Sequence, residues 1–314
     1  MQGFVANTDY AWYTYLRERQ KGVAPLDEVN FWQPSAHGRF RAVPPGAPFF
    51  FKLKKPHDAI AGFGHFAYFS VLSVWLAWDT FADANGTGDF HTLNRQIAGY
   101  RRLDHPDPAG RYEIGCIMLG HPVFFEERDW IPQPRDWKPN VVRGSTYDLA
   151  EGEGRRIWDA CRLLAGKAER ISDLTEESLV EDRYGSPQLI RPRLGQGSFR
   201  IAVTDAYDRA CAVTQEHSLP VLEAAHIKSY AEGGPHALEN GILLRSDIHR
   251  LFDKGYVTVT DDLRFEVSSR LETEFANGRS YYHLHGTELH LPERVEARPS
   301  PDYLIWHNEQ VYRS

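Results

Sequence analysis

The strongest constraint in this chain lies between Cys211 and Thr260, where two apolar runs, a broken loop and a short helix carry three polar residues at fixed intervals. Val221-Leu-Glu-Ala-Ala-His-Ile-Lys is short, apolar and partly β-branched, which predicts a strand. Gly233-Gly234-Pro235 breaks it. Ile242-Leu-Leu-Arg predicts a second strand, and Ser246 or Asp247 can N-cap a helix from Asp247 to about Lys254, with Gly255 at its end. His226 falls on the first strand, Asn240 fourteen positions later just before the second, and His249 nine positions further on the helix. A hairpin packed on a helix can hold a cation between helix and strand and aim a histidine at the same point. Hydrolysis of a phosphodiester asks for that pair, a general base for water and a divalent ion for the developing charge. His226 is the expected base, Asn240 the residue that holds the loop and the imidazole, and His249 a metal ligand.

These residues resemble the HNH (ββα-metal) endonuclease family, in the branch that reads Ala-Ala-His. The resemblance runs from about Gln196 to Asp261 and includes Gly197-Ser-Phe-Arg and the Cys211-Ala-Val-Thr turn. It implies His226, Asn240 and His249 as the catalytic set, with Mg²⁺, Mn²⁺ or Ni²⁺ as the divalent metal, since a His-plus-carboxylate site does not choose among them. One departure stands out. Many members have an Asp or His immediately before the catalytic His, where this chain has Ala225. The missing ligand is Glu223, on the same strand face as Ala225, or Asp253, one helical turn beyond His249 and favoured because i and i+4 share a face.

Charge and cysteine usage narrow the field. A formal charge of −7 argues against a generally basic nucleic-acid coat, so DNA contacts are expected from local groups. Arg245, Arg250 and Lys228 are the nearest to the motif; Arg191, Arg193, Arg200 and the Lys52 to Lys55 stretch are further candidates. Cys116, Cys161 and Cys211 lie far apart with no Cys-x-x-Cys, which excludes structural zinc of the stapled HNH type and a disulfide framework. No secretory pattern opens the chain, and the most apolar stretch, Phe63 to Trp78, is too short for a membrane span. A cytoplasmic protein is expected.

Residues 1–150 are rich in aromatics, Gly and Pro, with strand-like runs at Pro48 to Lys54, Ala59 to Phe66 and Ile114 to Leu119. Helices are expected at Asp9 to Gln20, about Ser70 to Asp79 and near Thr92 to Arg101. Several short strands bounded by Gly and Pro predict a small β-barrel. Residues 151–190 change texture to an amphipathic helix and a charged stretch, a helical linker, and 191–314 form the nuclease domain. The expected class is α+β throughout.

The order Asp9-x-x-Trp12, Asn30-Phe-Trp32-Gln-Pro-Ser35, an apolar strand ending in Lys54, then Ile60-Ala-Gly62-Phe-Gly64 is similar to the PUA-like superfamily, nearest the EVE and YTH type of domain. That resemblance covers about 145 residues and implies a barrel pocket with aromatic walls that holds one modified base. Trp32 and Trp12 are candidate walls, Asn30 and Ser35 candidate edge readers, and Gly62 would allow close backbone approach. Joined to the HNH resemblance, this implies a modification-dependent, type IV-like restriction endonuclease acting on double-stranded DNA by flipping out a modified cytosine such as 5-methylcytosine. A double-strand break would call for a homodimer or two binding events. Two rivals are a nuclease that reads phosphorothioate or unmodified DNA, and a binding-only protein with an inactive HNH half.

Overall fold

The protein was analysed as a computed structural model that describes residues 1–22, 26–173, 194–276 and 278–314, with only the backbone for 167–173. Arg191 and Arg193, and the charged part of the expected linker, lie outside the described residues. The chain divides into two compact units, Met1–Pro192 and Arg193–Ser314.

The first unit is built on β1 (Gln2–Thr8), α1 (Tyr10–Gln20), β2 (Glu28–Gln33), β3 (Pro48–Leu53), β4 (Ala59–Ser73), α2 (Val74–Phe81), α3 (Phe90–Arg101), β5 (Glu113–Phe124), β6 (Ile131–Pro132), β7 (Gly144–Asp148) and α4 (Gly152–Asp173). Its strands form one seven-stranded sheet in the order β2-β5-β4-β3-β1-β7, with β6 on β4. The β1–β3 pair is parallel and the other pairs are antiparallel. Strands β2 and β7 end the hydrogen-bonded path and do not pair, so the expected barrel gives way to a mixed α+β unit on an open sheet. Strand β4 runs on to Ser73, which delays the helix expected from Ser70 until Val74.

Why three consecutive phenylalanines occupy β3 follows from the two faces of a central strand, both buried. Phe49 and Phe51 turn to one side with Phe4, Ala6, Trp12 and Leu16 of α1. Phe50 turns to the other with Val5, Ile60 and Phe63, where α4 covers them through Ile157, Trp158, Cys161 and Ala165. The Trp158 ring meets Phe63 edge-on at 5.5 Å. The helix expected as a spacer is thus, over its first half, core material of the first unit.

The second unit comprises α5 (Gln196–Ala206), β8 (Leu222–His226), β9 (Gly241–Arg245), α6 (Ser246–Asp253), β10 (Val257–Val259), β11 (Phe265–Val267), α7 (Arg270–Phe275), α8 (Arg279–Tyr282) and α9 (Pro301–Gln310). Strands β8 and β9 form an antiparallel hairpin in which Ala225 faces Ile242 and His226 faces Gly241. The N-cap of α6 is Arg245, with no side-chain cap bond; the Asp247 carboxylate pairs with Arg245 instead. One core holds Phe199, Ala225, Ile242, Leu244, Ile248 and Phe252 together.

On α9, His307 is 2% exposed, stacked on Phe252 at 3.7 Å, with Nε2 donating to the Phe252 carbonyl at 3.1 Å. Burial pushes its pKa down to about 4, against the opposing pull of that carbonyl and Asp253. A folded-state pKa below the unfolded value means that the unfolded state binds more protons in between, so stability falls with pH there. Acidification from about 6.5 to about 4 is expected to cost the second unit on the order of 3 kcal/mol from this residue. Urea midpoints against pH check it: the acid slope should flatten in His307→Gln, and an unchanged slope would acquit His307.

Candidate active site

Two features concentrate chemistry, one in each unit. In the second unit, β8 ends on His226 and α6 presents His249 and Asp253 one turn apart. His249 Nδ1 lies 2.7 Å from Glu223 Oε2, and its Nε2 lies 3.4 Å from Asp253 Oδ2. Both carboxylates weighed as the missing ligand therefore gather on His249. Ala225 is fully buried beneath the helix, so its small side chain suits packing.

The two histidines are pushed apart electrostatically. Burial, then the neighbouring His236 and His249, lower His226 to about 4, with Asp253 opposing. At His249 burial pulls down, but hydrogen bonds to Asp253 and Glu223 outweigh it and the pKa is raised. A neutral His226 can accept a proton near neutral pH, which a general base must do.

Asn240 is fully buried and acts on the backbone around the site. Its Oδ1 accepts from the Lys228 N–H at 2.9 Å, and its Nδ2 donates to the carbonyls of Lys228 and Pro235, both at 2.9 Å. Gly234 makes room for this clamp, since a Cβ there would sit 1.9 Å from the Lys228 oxygen and 2.9 Å from Asn240 Nδ2.

Sequence reasoning missed the aromatic surroundings of His226. Phe199 of α5 stacks on His226 at 4.0 Å and 13°, and His236 Nδ1 lies 2.8 Å from His226 Nε2. The signal available was an aromatic imidazole inside the loop that Asn240 closes. Of the expected DNA contacts, Arg250 is exposed on α6. Arg245 is engaged by Asp247 at 2.5 Å, and Lys228 sits over the Trp306 ring at 5.5 Å.

Among the described residues, no three His, Cys, Asp or Glu side chains converge as a ready metal site. The donor set of Glu223, His249 and Asp253 nevertheless fits a divalent ion chemically, hard carboxylates with one imidazole. Each carboxylate now engages a different ring nitrogen, so holding an ion at one point would need one of them to swing.

The first unit contains a cavity of about 430 Å³. Trp12, Trp32 and Ser35 line it as expected, together with Asp9, Lys54 and Tyr100, none of which the sequence reading assigned to a base pocket. Both indole N–H groups are already satisfied, Trp12 by the Asn30 carbonyl at 3.3 Å and Trp32 by the Asn85 carbonyl at 3.0 Å, so the rings are fixed walls. The Tyr100 hydroxyl donates to Asp9 Oδ2 at 2.5 Å, while Oδ1 caps α1. Asn30 and Gly62 are not part of the lining. The Asn30 amide is fully buried and donates to Asn85 Oδ1 at 2.8 Å. Gly62 serves strand packing: with φ at +156°, a Cβ would meet the Val123 oxygen at 2.2 Å.

Residues 211–260 match the HNH_2 family model, described as HNH endonuclease. This segment is an HNH endonuclease domain. Among solved structures, the chain is similar to the ASCH protein from Zymomonas mobilis at 12% identity and a TM-score of 0.28, over 49% of this chain and 92% of that one. A mutant of the same protein gives 11%, 0.29, 49% and 95%. A modification-dependent restriction endonuclease, TagI, is similar at 14% identity and a TM-score of 0.27, over 99% of this chain and 81% of that chain. No curated protein matches. Among the described residues, no helix of the HNH unit or the first unit is long and apolar enough to cross a membrane.

Proposed function

We propose that the chain is a modification-dependent DNA endonuclease in which the first unit holds a flipped modified cytosine and the HNH domain hydrolyses a phosphodiester bond. The observation that carries it is the pairing of a neutral, half-buried His226 with a His249 flanked by Glu223 and Asp253. His226 takes the proton of the attacking water, Asn240 holds the loop, and Glu223, His249 and Asp253 would hold the divalent ion. When bound, that ion supplies charge stabilisation at the phosphate.

The base-reading half rests on the cavity. Trp12 and Trp32 offer fixed aromatic faces for stacking, and the Asp9 carboxylate retains lone pairs that suit the amino edge of a cytosine, where thymine presents a carbonyl. Asp9 thus replaces Asn30 as the polar reader, with Ser35 retained.

Matched plasmids with plain cytosine, 5-methylcytosine or 5-hydroxymethylcytosine, incubated with Mg²⁺, Mn²⁺ or chelator, test both halves. Cutting confined to modified DNA in the presence of metal is expected. Trp32→Ala should lose about 1–3 kcal/mol of stacking and with it about 5- to 150-fold of its preference for modified DNA, while retaining metal-dependent nicking. Equal cutting of all plasmids by the native chain would remove the modified-base reading and leave the nuclease. An undiminished preference in Trp32→Ala would move the pocket elsewhere.

A further inference from the structure

The candidate base is one half of a pair. His226 Nε2 and His236 Nδ1 are 2.8 Å apart, within hydrogen-bond distance. Each ring is held flat by its own aromatic partner, His226 by Phe199 at 4.0 Å and 13°, His236 by Tyr230 at 4.7 Å and 9°. The loop bearing His236 is fixed one residue earlier, where Asn240 grips the Pro235 carbonyl at 2.9 Å. The same Asn240 anchors Lys228, two residues past His226. One buried amide therefore sets the separation of both imidazoles, which loop residues meeting by accident would not share.

Proton counting gives this contact a consequence. A neutral imidazole carries one N–H, and the contact uses one donor and one acceptor. If His236 donates, its Nδ1 hydrogen occupies the His226 Nε2 lone pair and the single hydrogen of His226 sits on Nδ1, so His226 has no lone pair left for water. If His226 donates from Nε2, its Nδ1 lone pair is free, and His236 keeps its own hydrogen on Nε2.

We propose that His236 is a positioning residue that fixes His226 in the Nε2–H tautomer and takes up the Nε2 proton as His226 gains one from water at Nδ1. The inference rests on the nuclease reading above. The step balances: the water proton goes to His226 Nδ1, and the hydroxide oxygen forms a bond to phosphorus. The bond to the leaving oxygen breaks, and that oxygen takes a proton from solvent. The bridging proton passes from His226 Nε2 to His236 Nδ1, leaving the positive charge on His236. This extends the orienting logic of a triad, in which a third group holds the base in its useful tautomer.

The test uses the full chain and two variants. His236→Phe keeps a flat ring against Tyr230 and removes the hydrogen bond, whereas His236→Asn places an amide near the former Nδ1. Single-turnover cleavage of modified plasmid should fall about 10–100-fold in His236→Phe, with the half-saturating DNA concentration unchanged. His236→Asn should recover most of that loss. Nitrogen NMR of ¹⁵N-histidine-labelled protein should show His226 protonated on Nε2 in the native chain and redistributed in His236→Phe. Native-rate cleavage by His236→Phe, or a His226 tautomer unaltered in it, would overturn the proposal. If the native chain cuts no DNA at all, the nuclease reading fails, and the NMR comparison still decides whether His236 positions His226.

Discussion

Replacing His226 by alanine is expected to slow single-turnover cleavage by about 10²–10⁴-fold, the usual contribution of a positioned general base. The ring lies at the end of a strand whose apolar residues face the core, and it is itself only half-buried. Truncation therefore removes its stacking on Phe199 and its contact with His236 but leaves the core intact. DNA affinity and the unfolding midpoint should change little. A cleavage rate within threefold of the native one would take the base role away from His226. Because burial and two neighbouring histidines hold its pKa down to about 4, the native rate should not fall through loss of this base between pH 8 and 6.

Asn240→Ala should be damaging for a different reason. Three hydrogen bonds end on one fully buried side chain, and its removal strands the Lys228 N–H and the carbonyls of Lys228 and Pro235. Leaving buried polar groups unpaired costs about 1–3 kcal/mol each, with partial relief where water can enter. A loss of about 3 kcal/mol or more is expected in urea unfolding, with cleavage reduced beyond what the unfolded fraction explains. Asn240→Asp should do no better, since it keeps the acceptor but aims a charged oxygen at two carbonyls. A loss below about 1 kcal/mol with native cleavage would show that the loop holds its course unaided.

Much of the second unit could be read from residue order. Strand, loop, strand and helix emerged within one or two residues of expectation, because apolar runs bounded by Gly-Gly-Pro and Gly255 leave few alternatives. His249, Glu223 and Asp253 do come together, and His226 lies within electrostatic reach of His249 and Asp253. His236 was passed over because its partner is ten positions away around a loop, and hairpin periodicity says nothing about which loop atoms meet. In the first unit, α1, α2 and α3 stand close to where the pattern put them. The barrel did not follow, because strand patterns show which residues face inward and not whether the last strand returns to the first. Asn30, which is not among the cavity's lining residues, is the instructive case. Beside Trp32 it reads as a polar group next to an aromatic wall, yet strand alternation turns neighbours to opposite sides and two-apart residues to the same side, where the Asn85 amide already claims it. Tyr100 reaches the cavity from the far end of α3, a tertiary approach invisible to local pattern.

The covering helix α4 decides where the first unit can be separated from the rest. A fragment stopped at residue 150 would uncover Phe50, Ile60 and Phe63 by removing Ile157, Trp158, Cys161 and Ala165 from above them. An apolar patch of that kind on a sheet invites self-association. The smallest fragment that closes its own surface therefore runs through Ala165, and isolated-domain binding measurements should begin from that length.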